Sequence, residues 1–209
     1  MFLMAGVCAG NVFSAGMPLA VDESRGANTA ALPGCPDLDP QPDGGTTPAL
    51  IISAINPGES IELFNDGGSS VDLSASAGDL CSPFTYITLA TLAPETTIRP
   101  GEYATLPWPA AFFDNEAGGQ IILYNISTSH LPGNIADFIC WGTGSTGRKS
   151  QAEGVGKWSG DCVAAIASGK TIRRLTGTDG ATLASYDASA EPMSCAAPAN
   201  NIFQNGFED

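Results

Sequence analysis

The chain predicts an all-β fold, an antiparallel β-sandwich, on three observations. Short runs of apolar and β-branched residues recur along it, several in strict apolar–polar alternation. Asparagine, aspartate, glycine and proline separate those runs. No stretch carries a sustained helical period. The 209 residues fit one domain with extensions at both ends. A hydrophobic content of 43% suffices for a packed core, and 25 glycines with 15 prolines favour many turns over long helices.

Leu50-Ile51-Ile52-Ser53-Ala54-Ile55 opens the globular part, which begins near Ala49, and stops at Asn56-Pro57-Gly58. Ile61-Glu62-Leu63-Phe64 follows and ends at Asn65-Asp66-Gly67-Gly68. Val71-Asp72-Leu73 and Phe84-Thr85-Tyr86-Ile87-Thr88-Leu89 alternate apolar and polar. Tyr103-Ala104-Thr105-Leu106, Gln120-Ile121-Ile122-Leu123-Tyr124 and Ala136-Asp137-Phe138-Ile139-Cys140-Trp141 complete the set. Helix is expected only as one turn within 151–155. In Ile61-Glu62-Leu63 a period of two sends the two apolar side chains to one face and Glu62 to the other. Glu62 is expected to accept a hydrogen bond from a nearby turn or from Arg173 or Arg174, as a structural ion pair rather than a catalytic acid.

The flanks read differently. Residues 1–20 are apolar and rich in small residues, like the apolar part of a secretion signal, with cleavage expected after Ala9, Gly16 or Ala20. A lipidated Cys8 fits poorly, because Val7 stands where a small residue is wanted. Residues 21–48 form a Pro/Gly/Asp-rich leader. Asp37, Asp39 and Asp43 within it lack the spacing and closing glutamate of a calcium loop. Residues 188–209 are a small-residue linker ending in the Ile202-Phe203-Gln204-Asn205-Gly206-Phe207-Glu208-Asp209 tail. That ending resembles a short terminal tail of exported proteins of Gram-negative bacteria. No later apolar run reaches the roughly 20 residues that a membrane span needs.

Charge narrows the partners. A formal net charge of -14 repels phosphate at long range, so no nucleic acid is expected. Of the 8 basic residues, Arg148, Lys149, Lys157, Lys170, Arg173 and Arg174 share one stretch. Arg148, Lys149, Lys157 and Trp158 form the candidate ligand patch. In that patch Trp158 would lie flat on a sugar or stack on a lysine stem, and the partner would be an anionic polysaccharide or a cell-envelope component.

Other chemistries find little footing. Gly142 to Ser150 satisfies G-x-G-x-x-G, but Arg148 interrupts the P-loop pattern and glycines soon follow. The one histidine, His130, sits in a turn before a proline and is expected on the surface, outside any triad. Without C-x-x-C pairs, zinc has no support. A calcium site made of carboxylates suits a chain this acidic, with no preferred position. No catalytic residues and no cofactor are expected.

Several motifs, in order, resemble the lamin-tail domain family. Ser60-Ile61-Glu62-Leu63-Phe64-Asn65 is similar to its Trp-Ile-Glu-Leu-x-Asn core strand, with Ser60 in place of the aromatic. Val71-Asp72-Leu73-Ser74 resembles the next short strand, and Ile98-Arg99-Pro100-Gly101-Glu102-Tyr103 its Leu-x-Pro-Gly-x-Tyr turn. Ile121-Ile122-Leu123-Tyr124 resembles its next core strand, Ile135-Ala136-Asp137-Phe138-Ile139 its Val-Val-Asp-x-Val strand, and Lys170-Thr171-Ile172-Arg173-Arg174 the Ser-hydrophobic-x-Arg segment near its end. The resemblance covers residues 49–187 and implies an immunoglobulin-like β-sandwich. It also implies an exported binding or surface-attachment module without shared catalytic residues.

The segment from Cys140 to Cys162 resembles an insertion of secreted bacterial members, and the two cysteines are expected to be bonded. Such a crosslink is worth roughly 3 kcal/mol in the chain-entropy model. Six cysteines suit an oxidising compartment, secreted or periplasmic. Losing Cys8 with the signal leaves an odd number. Cys35 and Cys195 flank the domain and are candidates for a second bridge, with Cys81 an equal competitor for either. Two alternatives stand beside the binding module: an envelope component held by an intermolecular disulfide, and a calcium-dependent hydrolase using carboxylates.

Overall fold

The computed structural model describes residues 50–195, except 76–77, 84, 95, 126–128, 144–146, 176 and 193–194. The expected signal segment, leader and terminal tail lie outside the described residues. Eleven strands are described: β1 (Leu50–Asn56), β2 (Ser60–Asn65), β3 (Val71–Asp72), β4 (Asp79–Cys81), β5 (Tyr86–Thr88), β6 (Thr97–Ile98), β7 (Tyr103–Pro107), β8 (Gly118–Tyr124), β9 (Ile135–Gly142), β10 (Thr171–Arg174) and β11 (Tyr186–Ala190). Two short α-helices, α1 (Leu89–Leu92) and α2 (Lys149–Gly154), interrupt them. The strands form a five-stranded sheet ordered β11-β10-β1-β2-β7, a four-stranded sheet ordered β5-β4-β8-β9 and a β3-β6 pair. Every pairing between these strands is antiparallel.

The predicted alternation builds the core. Ile61 and Leu63 of β2 are fully buried and share one core with Leu80 of β4, Ile121 and Leu123 of β8, and Ile139 of β9. Apolar side chains from both large sheets meet there, which makes the molecule an all-β sandwich. Glu62 points the opposite way, as period two requires. The helix at α2 begins two residues earlier than the one turn expected.

Two features differ from expectation. The strand expected to run on through Leu89 stops earlier, because Thr88 ends β5 and caps α1, its hydroxyl accepting from the Thr91 N–H at 3.1 Å. The last strand also runs on to Ala190, past the expected boundary at 187.

The chain after β9 folds back over the four-stranded sheet. Phe138 pairs with Ile122 and Cys140 with Gln120, so these four side chains share the face opposite to that of Ile121 and Ile139. The Cys140–Cys162 disulfide forms as expected, and Trp158 packs edge-on against Phe138 at 5.6 Å between ring centroids. The Arg148 N–H donates to Gln120 Oε1. Gly142 starts this excursion with φ +60°, where a Cβ would lie 1.9 Å from the Ala117 carbonyl oxygen. Glycine alone fits such a turn.

Candidate functional site

The candidate patch does not assemble as a flat basic surface. Trp158 is only 2% exposed, wedged between Phe138 and Tyr186. Its ring is therefore unavailable to a sugar. This differs from the sequence expectation, because the indole packs against Phe138 and Tyr186. Arg148 is not at a free tip either. Its guanidinium donates to the hydroxyls of Tyr124 and Tyr86 and to Gln151 Oε1, and it lies 5.4 Å from the Tyr86 ring centroid. Lys149 pairs with Glu153 at 2.5 Å, one helical turn on. Lys157 is exposed.

Beside Arg148 the outer face of the four-stranded sheet carries a polar cluster. Asp79 and Cys81 alternate onto one face of β4, opposite Tyr124 and Tyr86 respectively. His130 stacks on Tyr86 at 3.8 Å, and its Nε2 lies 2.7 Å from Asp79 Oδ2. The histidine was expected as a simple surface residue; its side chain is instead 27% exposed and tied to a buried carboxylate. Tyr86 is 41% exposed and Leu131 65%, so this corner presents aromatic and aliphatic surface next to a guanidinium. No sequence signal linked His130 to Asp79, because β4 is too short to show a period.

A carboxylate, an imidazole and a thiol in one region invite a nucleophilic reading. Cys81 opposes it. The side chain is fully buried, its S–H donates to the Ser82 carbonyl, and burial pushes the thiol up to about 11. A thiol held neutral is a poor nucleophile. The native protein is therefore expected to resist alkylation near pH 8 at Cys81, with labelling only after unfolding. The same shift has a pH consequence. Above the ordinary thiol value the unfolded chain loses a proton that the folded chain keeps, so stability falls from about pH 9 to pH 11. The loss from Cys81 is about 2–3 kcal/mol. Burial also raises Tyr86, Tyr124 and Tyr186, which acts in the same direction at higher pH. Denaturant midpoints across that range should decline less steeply in Cys81→Ala; an equal slope would refute the assignment.

Two ion pairs among the described residues are buried. On the core face, Arg174 of β10 pairs with Asp137 of β9 and donates to the Tyr186 hydroxyl at 3.1 Å. Asp137 Oδ2 also accepts the Ile52 N–H at 2.7 Å, at the irregularity between Ile52 and Ala54 in β1. Burial pushes the Asp137 carboxyl up, against the pull of Arg174 and the backbone donors. Gly180, at φ +71°, leaves the space the guanidinium fills: a Cβ there would lie 2.3 Å from Arg174 Cζ. On the opposite face, Glu62 pairs with Arg173 at 3.3 Å and accepts from Ser53 Oγ and the Cys195 N–H. The structural ion pair expected of Glu62 is thus present, with Arg173 as its partner.

Among the described cysteines, Cys81 is free, and Cys195 is disulfide-bonded. The proposed partner Cys35 lies outside the described residues. Among the described residues no group of three or more His, Cys, Asp or Glu side chains is placed to hold a metal ion. No helix among them is long and apolar enough to cross a membrane. Comparison with protein-family models, with curated proteins and with solved structures found no match.

Proposed function

We propose that the chain is a secreted, non-catalytic binding or surface-attachment module. Its partner is an anionic polysaccharide or another anionic component of a bacterial envelope. The supporting observation is the loop between Cys140 and Cys162, closed by a disulfide and pinned to the sheet by buried Trp158. That double anchor fixes the backbone carrying Arg148, Lys149 and Lys157, so little loop entropy is lost on binding. Exposed Tyr86 and Leu131 extend the same corner with apolar surface. The lamin-tail resemblance, with its immunoglobulin-like sandwich and export, belongs to this proposal and is carried by the sequence motifs.

The alternative of an envelope component held by an intermolecular disulfide draws no support from the described cysteines. Cys81 is buried, and Cys140, Cys162 and Cys195 are bonded. The test is retention on immobilised anionic polysaccharide. On a chain of charge -14, binding must come from a local cationic surface and weaken with salt. Retention is expected to be salt-sensitive and lost when Arg148, Lys149 and Lys157 are all changed to Ala. Absence of retention on every envelope fraction would sink the proposal.

A further inference from the structure

The outer face of the five-stranded sheet carries a cleft that the binding loop does not touch. It has a volume of about 230 Å³ and is lined by Ala54, Asn56, Glu59, Ser60, Glu62, Thr105, Thr171 and Pro192. Its position follows from the register. Ala54 pairs with Glu62 and with Arg173, Asn56 pairs with Ser60, and Glu62 pairs with Thr105. These side chains therefore project together from the face opposite the core, as does Thr171, two residues before Arg173 on β10.

Thr171 is the informative member. It is 2% exposed, it lines the cleft, and its Oγ1 has no hydrogen-bond partner among the described residues. Buried hydroxyls are almost always paired. One left open on the floor of a cleft is a group awaiting a partner from outside. Around it stand the Ser60 and Thr105 hydroxyls, the Asn56 amide and two carboxylates. The Glu62 charge is balanced by Arg173, which projects from the same face. Glu59 accepts from Asn56 at 2.5 Å on the exposed rim. Among the described residues no cationic side chain lines the cleft, and two carboxylates do, so an anion is disfavoured there. Hydroxyls both give and accept hydrogen bonds, and carboxylates accept them. That set matches a ligand whose own groups donate and accept in turn around a compact frame.

We propose that this cleft binds a single uncharged sugar ring, with the Thr171 hydroxyl and the Glu59 and Glu62 carboxylates as its polar contacts. It is a second site, on a different sheet from the Cys140–Cys162 loop, and it selects a neutral ligand where that loop selects an anionic one. A shallow site with few apolar walls binds weakly, with a dissociation constant on the order of 1 mM.

The test titrates the full chain, followed by amide chemical shifts, with glucose, galactose, mannose and N-acetylglucosamine. Glucuronate and putrescine serve as the anionic and dicationic arms. The expected result is saturable shifts around Ser60, Thr105 and Thr171 with at least one neutral sugar. Thr171→Val removes the open hydroxyl at constant shape, so it should fold as well as the parent and bind about fivefold more weakly. Ser60→Ala, on the rim, gives a second variant of the same site. The triple change of Arg148, Lys149 and Lys157 to Ala should leave sugar binding intact, which separates this proposal from the loop's. The proposal is overturned if no neutral sugar gives saturable shifts, if folded Thr171→Val and Ser60→Ala both bind like the parent, or if putrescine binds and the sugars do not.

Discussion

Asp137→Ala is expected to destabilise the fold by about 3–5 kcal/mol, the range for breaking a buried ion pair by removing one partner. Three groups depend on that carboxylate. The Arg174 guanidinium, 2% exposed as a side chain, would be left as a buried charge, and its Nε already lacks a partner. The Ile52 N–H, which donates to Oδ2, would lose its acceptor inside the sandwich, as would the Phe138 N–H bonded to Oδ1 at 3.0 Å. Water cannot replace the carboxylate cheaply at a site this deep. Against a total of about 5–15 kcal/mol for a typical domain, such a loss can unfold the protein outright. The double variant Asp137→Ala with Arg174→Met should recover part of the loss, because it removes the stranded charge while filling its volume. Denaturant midpoints of the two singles and the double form a cycle that isolates the coupling. A loss below about 1 kcal/mol in Asp137→Ala would show that the pair does not bridge the sheets as described.

That pair also marks where the sequence stops being readable. The strands β1, β2, β7, β8 and β9 are legible because each is an apolar or β-branched run closed by turn residues, and Ile61-Glu62-Leu63 assigns two faces by itself. The three residues of β4 are all buried, so they carry no alternation, and an aspartate near a glycine reads as a turn. The edge strand β11 is built from tyrosine, aspartate, alanine and serine, with one buried position among five, and looks like linker. Glu62 could be matched to the Arg173–Arg174 pair in advance because two cations and one inward-strand acid are few candidates. Which arginine it takes depends on the alternation along β10. Arg173 shares the outer face with Glu62, and Arg174 turns to the core with Ile172. Asp137 as the second partner is a property of two sheets meeting, and no local pattern encodes it.

Trp158→Ala is expected to lose about 3–5 kcal/mol, the usual cost of removing a large aromatic side chain from a core. On sequence, Trp158 reads as a ring that lies flat on a sugar or stacks on a lysine stem. The geometry makes it a packing residue. It is 2% exposed and fills the space between Phe138 on β9 and Tyr186 on β11, with the Tyr186 ring 6.0 Å away. Tyr186 in turn accepts from Arg174, so the indole backs the buried ion pair from one side. Its Nε1 has no hydrogen-bond partner. Trp158→Phe keeps much of the apolar contact and removes that stranded donor, so it should lose clearly less than the alanine variant. The two readings of Trp158 separate on this series. If it packs, thermal midpoints fall in the order parent, phenylalanine, alanine, while folded Trp158→Phe is retained on anionic polysaccharide like the parent. If it is a sugar platform, the phenylalanine variant keeps its midpoint and loses retention. The buried indole, edge-on to Phe138 and tilted against Tyr186, predicts the first pattern, which leaves the proposed ligand surface to the loop's cations and the Tyr86–Leu131 corner.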